Sequence, residues 1–124
     1  MDKLKFISEQ MNILGIPYDF IDWKSDFADP YWIGEYTESP SINEDGSAET
    51  SFILTGTTRG EWLSLEEAKE RIRHHFPAVG GLCDKTEGGA IAVFFAGSFP
   101  VPTGDAALKR IQINLDIKEW KGAI

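Results

Sequence analysis

Residues 110–118 alternate strictly between polar and apolar side chains, and this pattern constrains the fold more than any other in the chain. The apolar members, at every second position, are Ile111, Ile113, Leu115 and Ile117. Because successive side chains of a β-strand point to opposite faces, the pattern predicts a strand with one buried and one polar face. An edge or one-faced position in a sheet suits such a strand.

Four further segments are rich in aromatic, β-branched or small apolar residues and are predicted strands. In the segment Glu49–Thr57, the side chains of Thr50, Phe52 and Leu54 share one face. This pattern indicates a half-buried strand that is antiparallel to the strand before it. We interpret residues 39–48, with Pro40 and an Asp-Gly pair, as the connecting loop. The four segments are Tyr18–Trp23, Tyr31–Glu38, Glu49–Thr57 and Ala90–Ala96.

Two apolar stripes have the spacing of amphipathic helices. The first is stopped by Gly15 and Pro17, with Asp2 as its expected N-cap. The second follows Ser64, which with Glu67 has the spacing of a capping box, and Pro77 closes it. The stripes are Leu4, Ile7, Met11 and Leu14, then Leu65, Ala68, Ile72 and Phe76.

The predicted order is helix-strand-strand-strand-helix-strand-strand within a single domain, residues 1–124. Strands joined in hairpins with only two helices indicate an α+β fold, a mostly antiparallel sheet with two helices packed on one face. The residues expected to be largely buried are Leu4, Ile7, Leu14, Phe52, Leu54, Leu65, Ile72, Val93, Ile113 and Leu115.

The charge balance excludes several classes of partner. Twelve Lys and Arg against twenty Asp and Glu give a formal charge of −8, which argues against nucleic-acid binding and against docking on an anionic membrane. No apolar run approaches the roughly 20 residues that span a bilayer. Asp2 and Glu9 argue against a signal peptide. We therefore expect a soluble, acidic, intracellular domain.

Motifs for chemistry are weak. His74 and His75 are adjacent on a helix, so they cannot converge on one metal ion as an i, i+4 pair does. Cys83, the single cysteine, has no evident base or orienting group. Ser98 lacks the flanking pattern of a nucleophile elbow. The sequence thus predicts a protein that is not an enzyme, with no catalytic residues, no metal and no cofactor.

Residues 19–49 are strongly acidic. An EF-hand spacing is missing, but paired carboxylates of a hydrolase remain an alternative, since their separation is set in space. A small acidic enzyme or ligand-binding domain using this region is therefore the competing hypothesis. The other interpretations are a solvated face or a charged partner surface. The acids expected to contact a partner are Glu35, Glu38, Glu44, Asp45 and Glu49.

The segment Gly97–Gly104 holds two prolines and is predicted to be a long, semi-rigid loop between two strands. Such loops often carry function. Phe99 and Val101 lie in it and either fold back over the core or offer apolar anchors to a partner.

Taken together, these segments resemble the tail terminator, or tail-to-head joining, proteins of long-tailed bacteriophages. The similarity begins at Pro30-Tyr-Trp-Ile-Gly-Glu-Tyr-Thr-Glu38, continues through the Asp45-Gly46 turn and the alternating strand 49–57, and ends with the helix near Ser64 and the final strand. The opening helix also fits, so most of the chain is covered.

This resemblance implies a structural tail-completion protein of a phage or prophage. Its members form a ring, commonly hexameric, that ends tail-tube polymerisation. The implied partners are further copies of the chain, the tail-tube protein and the head-connector protein. The implied location is the cytoplasm of the bacterial host during assembly and then the tail or neck of the virion.

Overall fold

A computed structural model describes residues 2–22, 29–42, 44, 46–86 and 88–121. Two helices and six strands follow one another in the order helix, three strands, helix, three strands. The elements are α1 (Asp2–Ile13), β1 (Tyr18–Phe20), β2 (Tyr31–Ile42), β3 (Ser47–Thr58), α2 (Trp62–His75), β4 (Leu82–Thr86), β5 (Gly89–Pro100) and β6 (Lys109–Lys121).

The six strands form one curled sheet in the order β1-β2-β3-β6-β5-β4. Short β1 runs parallel to β2, and every other neighbouring pair is antiparallel. Both helices contribute to the same hydrophobic core as one face of this sheet. The predicted α+β class is confirmed.

The alternating segment forms β6, which lies between β3 and β5 rather than at an edge. Its four apolar residues are at most 2% exposed, so the one-faced alternative is correct and the edge alternative is wrong. The two faces of β6 differ because only one of them meets the helices.

The core consists mainly of the inward residues of α1, α2, β3, β5 and β6. Eight of the ten residues expected there are fully buried, while Leu4 and Leu14 are half-buried and pack against its margin. Trp32 on β2 is the largest fully buried side chain. Its ring lies against Gly56, its register partner on β3, so that a Cβ at position 56 would be 2.6 Å from three ring atoms.

The end of α1 confirms the predicted stop at Gly15. This residue has a φ of +70°, and its amide donates to the carbonyl of Asn12 while that of Ile16 donates to the carbonyl of Met11. This pair of bonds is the Schellman arrangement, for which glycine is favoured because it has no Cβ.

The predicted capping box of α2 is wrong. The helix begins two residues before Ser64, and its N-cap, Glu61, makes no side-chain cap hydrogen bond. The Ser64 hydroxyl instead donates to the Glu61 carbonyl at 2.6 Å. The indole of Trp62, the first residue of the helix, donates to the Glu66 carboxylate.

Two predicted loops and two predicted strand assignments are also corrected. The strand β4 was not expected, and the segment from Gly97 is not a loop until after Pro100, since β5 stays paired with β6 to that point. The strands β2 and β3 extend into the expected loop 39–48, and β1 is shorter than 18–23. Residue 23 itself lies outside the described residues. Hydrogen bonding between long strands overrides the local turn signals of prolines and polar residues.

Neither helix in the described part of the chain is long and apolar enough to cross a membrane.

Candidate interaction surface

One face of the sheet carries both helices, and the described residues place no helix on the other. We call this second surface the open face. Register partners on neighbouring strands share a face, so the pairing of β2, β3, β6 and β5 defines its members. They include Tyr31, Ile33, Glu35, Thr37, Glu49, Ser51, Ile53, Thr55, Thr57, Arg110, Gln112, Asn114, Asp116, Lys118, Phe94 and Phe99.

Phe99 and Glu35 lie at opposite margins of the open face. Phe99 pairs with Gln112, which continues through Thr55 to Ile33 in one row across the sheet. Glu35 projects from the adjacent row. With strands about 4.8 Å apart, the two outer strands are separated by about 14 Å. The sheet therefore presents an aromatic ring and a carboxylate on one continuous surface.

Phe99 does not fold back over the core. Its side chain is 46% exposed, although the residue sits in regular β-structure. This exposure favours the anchor interpretation of the sequence over the alternative of core coverage. Val101 follows the end of β5, where its amide donates to the Arg110 carbonyl at 3.0 Å and its side chain is half-buried.

Glu38, in contrast, faces the helices. Its carboxylate bonds the Lys3 ammonium, which also lies 3.4 Å from Glu119 and 5.4 Å from the centre of the Tyr36 ring. Burial of Lys3 opposes its charge, but the bonds to the two carboxylates outweigh it and raise its pKa. This cluster joins α1 to β2 and β6, so Glu38 contributes to the fold, while its side chain remains 45% exposed.

The other acids that were expected to contact a partner do not form one cluster with Glu35. Glu49 is 3.8 Å from Lys118 across the strand pair, and exposed Glu44 lies in the turn between β2 and β3. Asp45 falls outside the described residues. The fold thus divides the acidic segment between two faces and a turn. Within the described ranges, no group of three or more His, Cys, Asp or Glu side chains is placed to hold a metal ion.

A shallow cavity of about 180 Å³ lies where Glu38 and Glu49 approach the same end of the sheet. Its other lining residues are Thr37, Thr50, Ser51 and Asp116. A wider, open cleft of about 430 Å³ separates α1 from β1. Tyr18 lines this cleft, and burial followed by the charge of Asp19 raises the pKa of its phenol.

His75 was considered above as a metal ligand and Cys83 as a nucleophile, and each forms a hydrogen bond to a different neighbour. His75 donates from Nε2 to Gln10 Oε1 at 2.6 Å, linking α2 to α1, and burial lowers its pKa. Cys83 is exposed on β4, where its Sγ donates to the Gly80 carbonyl at 3.4 Å. Each has a local structural partner within the described chain.

Sequence reasoning missed two features of this surface. Lys3 lies on the same helical stripe as Ile7 and Met11, so its position already indicated a buried ammonium that needs carboxylate partners. Glu35 and Glu38 are an odd number of residues apart in a strand, which places them on opposite faces. Their closeness in sequence suggested one cluster, and the pleat separates it.

Comparison with known proteins yields no match, either to a protein-family model or to a curated protein sequence.

Proposed function

We propose that this chain is a structural component of a phage or prophage tail, a tail terminator or tail-to-head joining protein that assembles into a ring. The observation that carries the proposal is the exposed ring of Phe99 in a rigid, paired strand at the margin of the open face. Aromatic anchors held in a fixed backbone lose little entropy on binding and dominate the energetics of protein interfaces.

The polar character of the rest of the open face supports the same role. Between Phe99 and Glu35 lie amide and hydroxyl side chains, including Gln112, Asn114 and Thr55. A mixed surface of this kind, with an apolar anchor and a polar surround, is typical of interfaces between proteins that also exist separately. Glu35, which forms no ion pair with any described residue, supplies charge that steers encounter.

In this proposal the ring caps the tail tube and meets the head connector. Its partners are further copies of the chain, the tail-tube protein and the head-connector protein. The chain acts in the cytoplasm of the bacterial host during assembly and afterwards in the neck of the virion. The family resemblance of the sequence supports these assignments, together with the α+β fold.

The test compares variants of the open face with matched variants elsewhere, scored by the yield of tailed particles in a complementation assay. Phe99→Ala should reduce the yield by about tenfold or more, because loss of an interface anchor costs at least about 2 kcal/mol. Leu63→Ala is the control, since Leu63 is 63% exposed and lies on α2.

Charge reversal provides the second pair. Glu35→Lys on the open face should impair particle formation, whereas Glu67→Lys on the exposed side of α2 should not. All four variants should retain the circular dichroism spectrum of the parent. Equal yields from each variant and its control would remove the open face from the proposed function.

A further inference from the structure

The open face carries one free charge of each sign, on the same strand. Arg110 and Asp116 both lie on β6, and their register partners on β3 are Thr57 and Ser51. Neither charge forms an ion pair with any described residue. Arg110 donates from Nε to Thr57 Oγ1 at 3.3 Å, and Asp116 is exposed. The face therefore has a cation towards one end of its strands and an anion towards the other.

Two rows of register partners cross the sheet between these charges. Apart from Glu35 at the margin, their side chains are apolar or carry neutral amide and hydroxyl groups. Such a distribution, with apolar groups in the middle and charge outside them, is typical of surfaces that bind another protein. The rows are Ile33, Thr55, Gln112 and Phe99, then Glu35, Ile53, Asn114 and Gly97.

We infer that two copies of this chain associate through their open faces, related by a two-fold axis that crosses the strands at the level of Ile113. The inference rests on the proposed function, since it assigns a further occupant to the surface that carries Phe99. It goes beyond the ring, because two copies that share one self-complementary face form a closed dimer and add no third copy.

Charge complementarity selects a second copy as the occupant. Arg110 and Asp116 are each three residues from Ile113 along β6, so the axis brings Arg110 of each copy opposite Asp116 of the other. One dimer thus contains two ion pairs, and both charges that lack a partner within the chain acquire one. Gln112 and Asn114 exchange in the same way, and each amide can both donate and accept.

The same charges decide how the two sheets are oriented. Two aligned sheets can also be related by an axis parallel to their strands. That axis would place each row opposite its own copy, and the row of Arg110 contains only Tyr31 and Thr57 besides it in β2 and β3. Arg110 would then meet no carboxylate. The crosswise axis is therefore the arrangement that the charges favour.

The shape of β5 fits the crosswise axis. Phe99 and Gly97 lie in the rows of Gln112 and Asn114, so the ring of one copy faces the glycine of the other. A Cβ at Gly97 would have no atom within 4 Å, whereas the side chain of Phe99 is 46% exposed. The glycine leaves space for the ring, and the two sheets can approach closely at this point.

The remaining charges of the face do not oppose the contact. Glu49 is 3.8 Å from Lys118 within its own copy, and Glu35 at the margin faces Ile33 of the other copy. Four strands about 4.8 Å apart, over seven residues of about 3.4 Å each, give about 450 Å² per copy. This area is small for a specific interface, so we expect a weak and reversible dimer.

The dimer has a consequence for the proposed assembly. It covers the ring of Phe99, which is the anchor proposed for contact with the tail. Free chains therefore keep this anchor covered until the two copies separate.

Charge reversal tests the contact. Arg110→Asp and Asp116→Arg should each weaken dimerisation by about tenfold or more, because each homodimer then holds two contacts between like charges. An equimolar mixture of the two variants should dimerise like the parent, since every contact again joins opposite charges. Sedimentation velocity at up to about 1 mM protein measures all three samples. The control pair is Lys5→Asp and Glu67→Arg, at exposed positions on the helices, and should match the parent both alone and mixed.

Cysteine cross-linking provides a measurement that does not depend on charge. In a Cys83→Ser background, a mixture of Arg110→Cys and Asp116→Cys treated with a short bismaleimide should give several-fold more covalent dimer than either variant alone. Two copies of one position lie about 20 Å or more apart across the axis, beyond the reach of the reagent. The control mixture replaces Asp116→Cys with Ser8→Cys on exposed α1 and should give only background product.

Each variant should retain the circular dichroism spectrum of the parent, and cross-linking decides the question if a charge-reversal variant does not fold. A parent that stays monomeric at about 1 mM would overturn the inference. A mixture of folded reversed variants that remains as weak as its components, or cross-linking at the background level, would also overturn it. The yield of tailed particles decides the proposed tail function separately, because that function does not require the free chain to be dimeric.

Discussion

The contact between Trp32 and Gly56 allows the packing to be tested with a single methyl group. Gly56 is buried on β3 and has an ordinary strand conformation, so alanine there causes no backbone strain. Its new Cβ, however, would lie 2.6 Å from three atoms of the Trp32 ring. Because that ring is 0% exposed, it cannot move aside without displacing other core side chains or losing its burial.

Overpacking of this kind costs up to about 3 kcal/mol. An unfolding entropy of about 2.1 cal/mol/K per residue, over 124 residues, gives about 0.26 kcal/mol per degree. Gly56→Ala should therefore lower the melting temperature by up to about 12 °C in differential scanning calorimetry, and lower the free energy of unfolding in urea accordingly.

The control is Gly60→Ala, at an exposed position where the nearest atom to the new Cβ is Thr58 Oγ1 at 3.4 Å. It should leave stability unchanged or raise it by up to about 1 kcal/mol, through the lower entropy of the unfolded chain. In a Trp32→Val background, Gly56→Ala should lose most of its cost. A Gly56→Ala protein as stable as its parent would refute the proposed packing.

Three further predictions concern the core, the buried lysine and metals. Ile113→Ala or Leu115→Ala should each cost about 2–5 kcal/mol in urea unfolding, and a loss below about 0.5 kcal/mol at both would contradict their burial. Because the pKa of Lys3 is raised above 10.5 in the folded state, its stabilising contribution is present below that pH and is lost as pH rises through the folded-state pKa. The stability difference between the parent and Lys3→Met should therefore shrink in alkaline urea titrations, whereas a difference independent of pH would contradict the ion cluster. Calcium or zinc should leave the melting temperature unchanged, because a metal that binds only the folded state must raise it; a rise of several degrees at sub-millimolar metal would indicate a site.

Periodicity predicted those parts of the fold in which one face is buried. The alternating segment that ends at Ile117 and the helical stripe through Ile7 and Met11 indicate which side chains are buried. They do so because only one face of each element contacts solvent, so polar and apolar residues separate by face. The strand β4, Leu-Cys-Asp-Lys-Thr, has no such contrast, and it exists because β5 offers it an edge. Local patterns cannot reveal pairing that is decided between distant segments.

The candidate surface was predicted in part. The sequence singled out Phe99 and Glu35, and the sheet places both on one face. It did not reveal that Glu38 turns inward to Lys3, because that contact joins residues 35 positions apart. The prediction for the backbone around Phe99 was also wrong. Two prolines suggested a loop there, whereas pairing with a distant segment of the chain forms a strand.

The most direct measurement of the proposed function is electron microscopy of particles made with and without this protein. In a host that produces the phage, deletion of its gene should give tails of irregular length that do not join heads, and expression of the intact chain in trans should restore particles with tails of uniform length. Tails of normal length, joined to heads in the absence of the protein, would contradict the proposed role as a tail terminator.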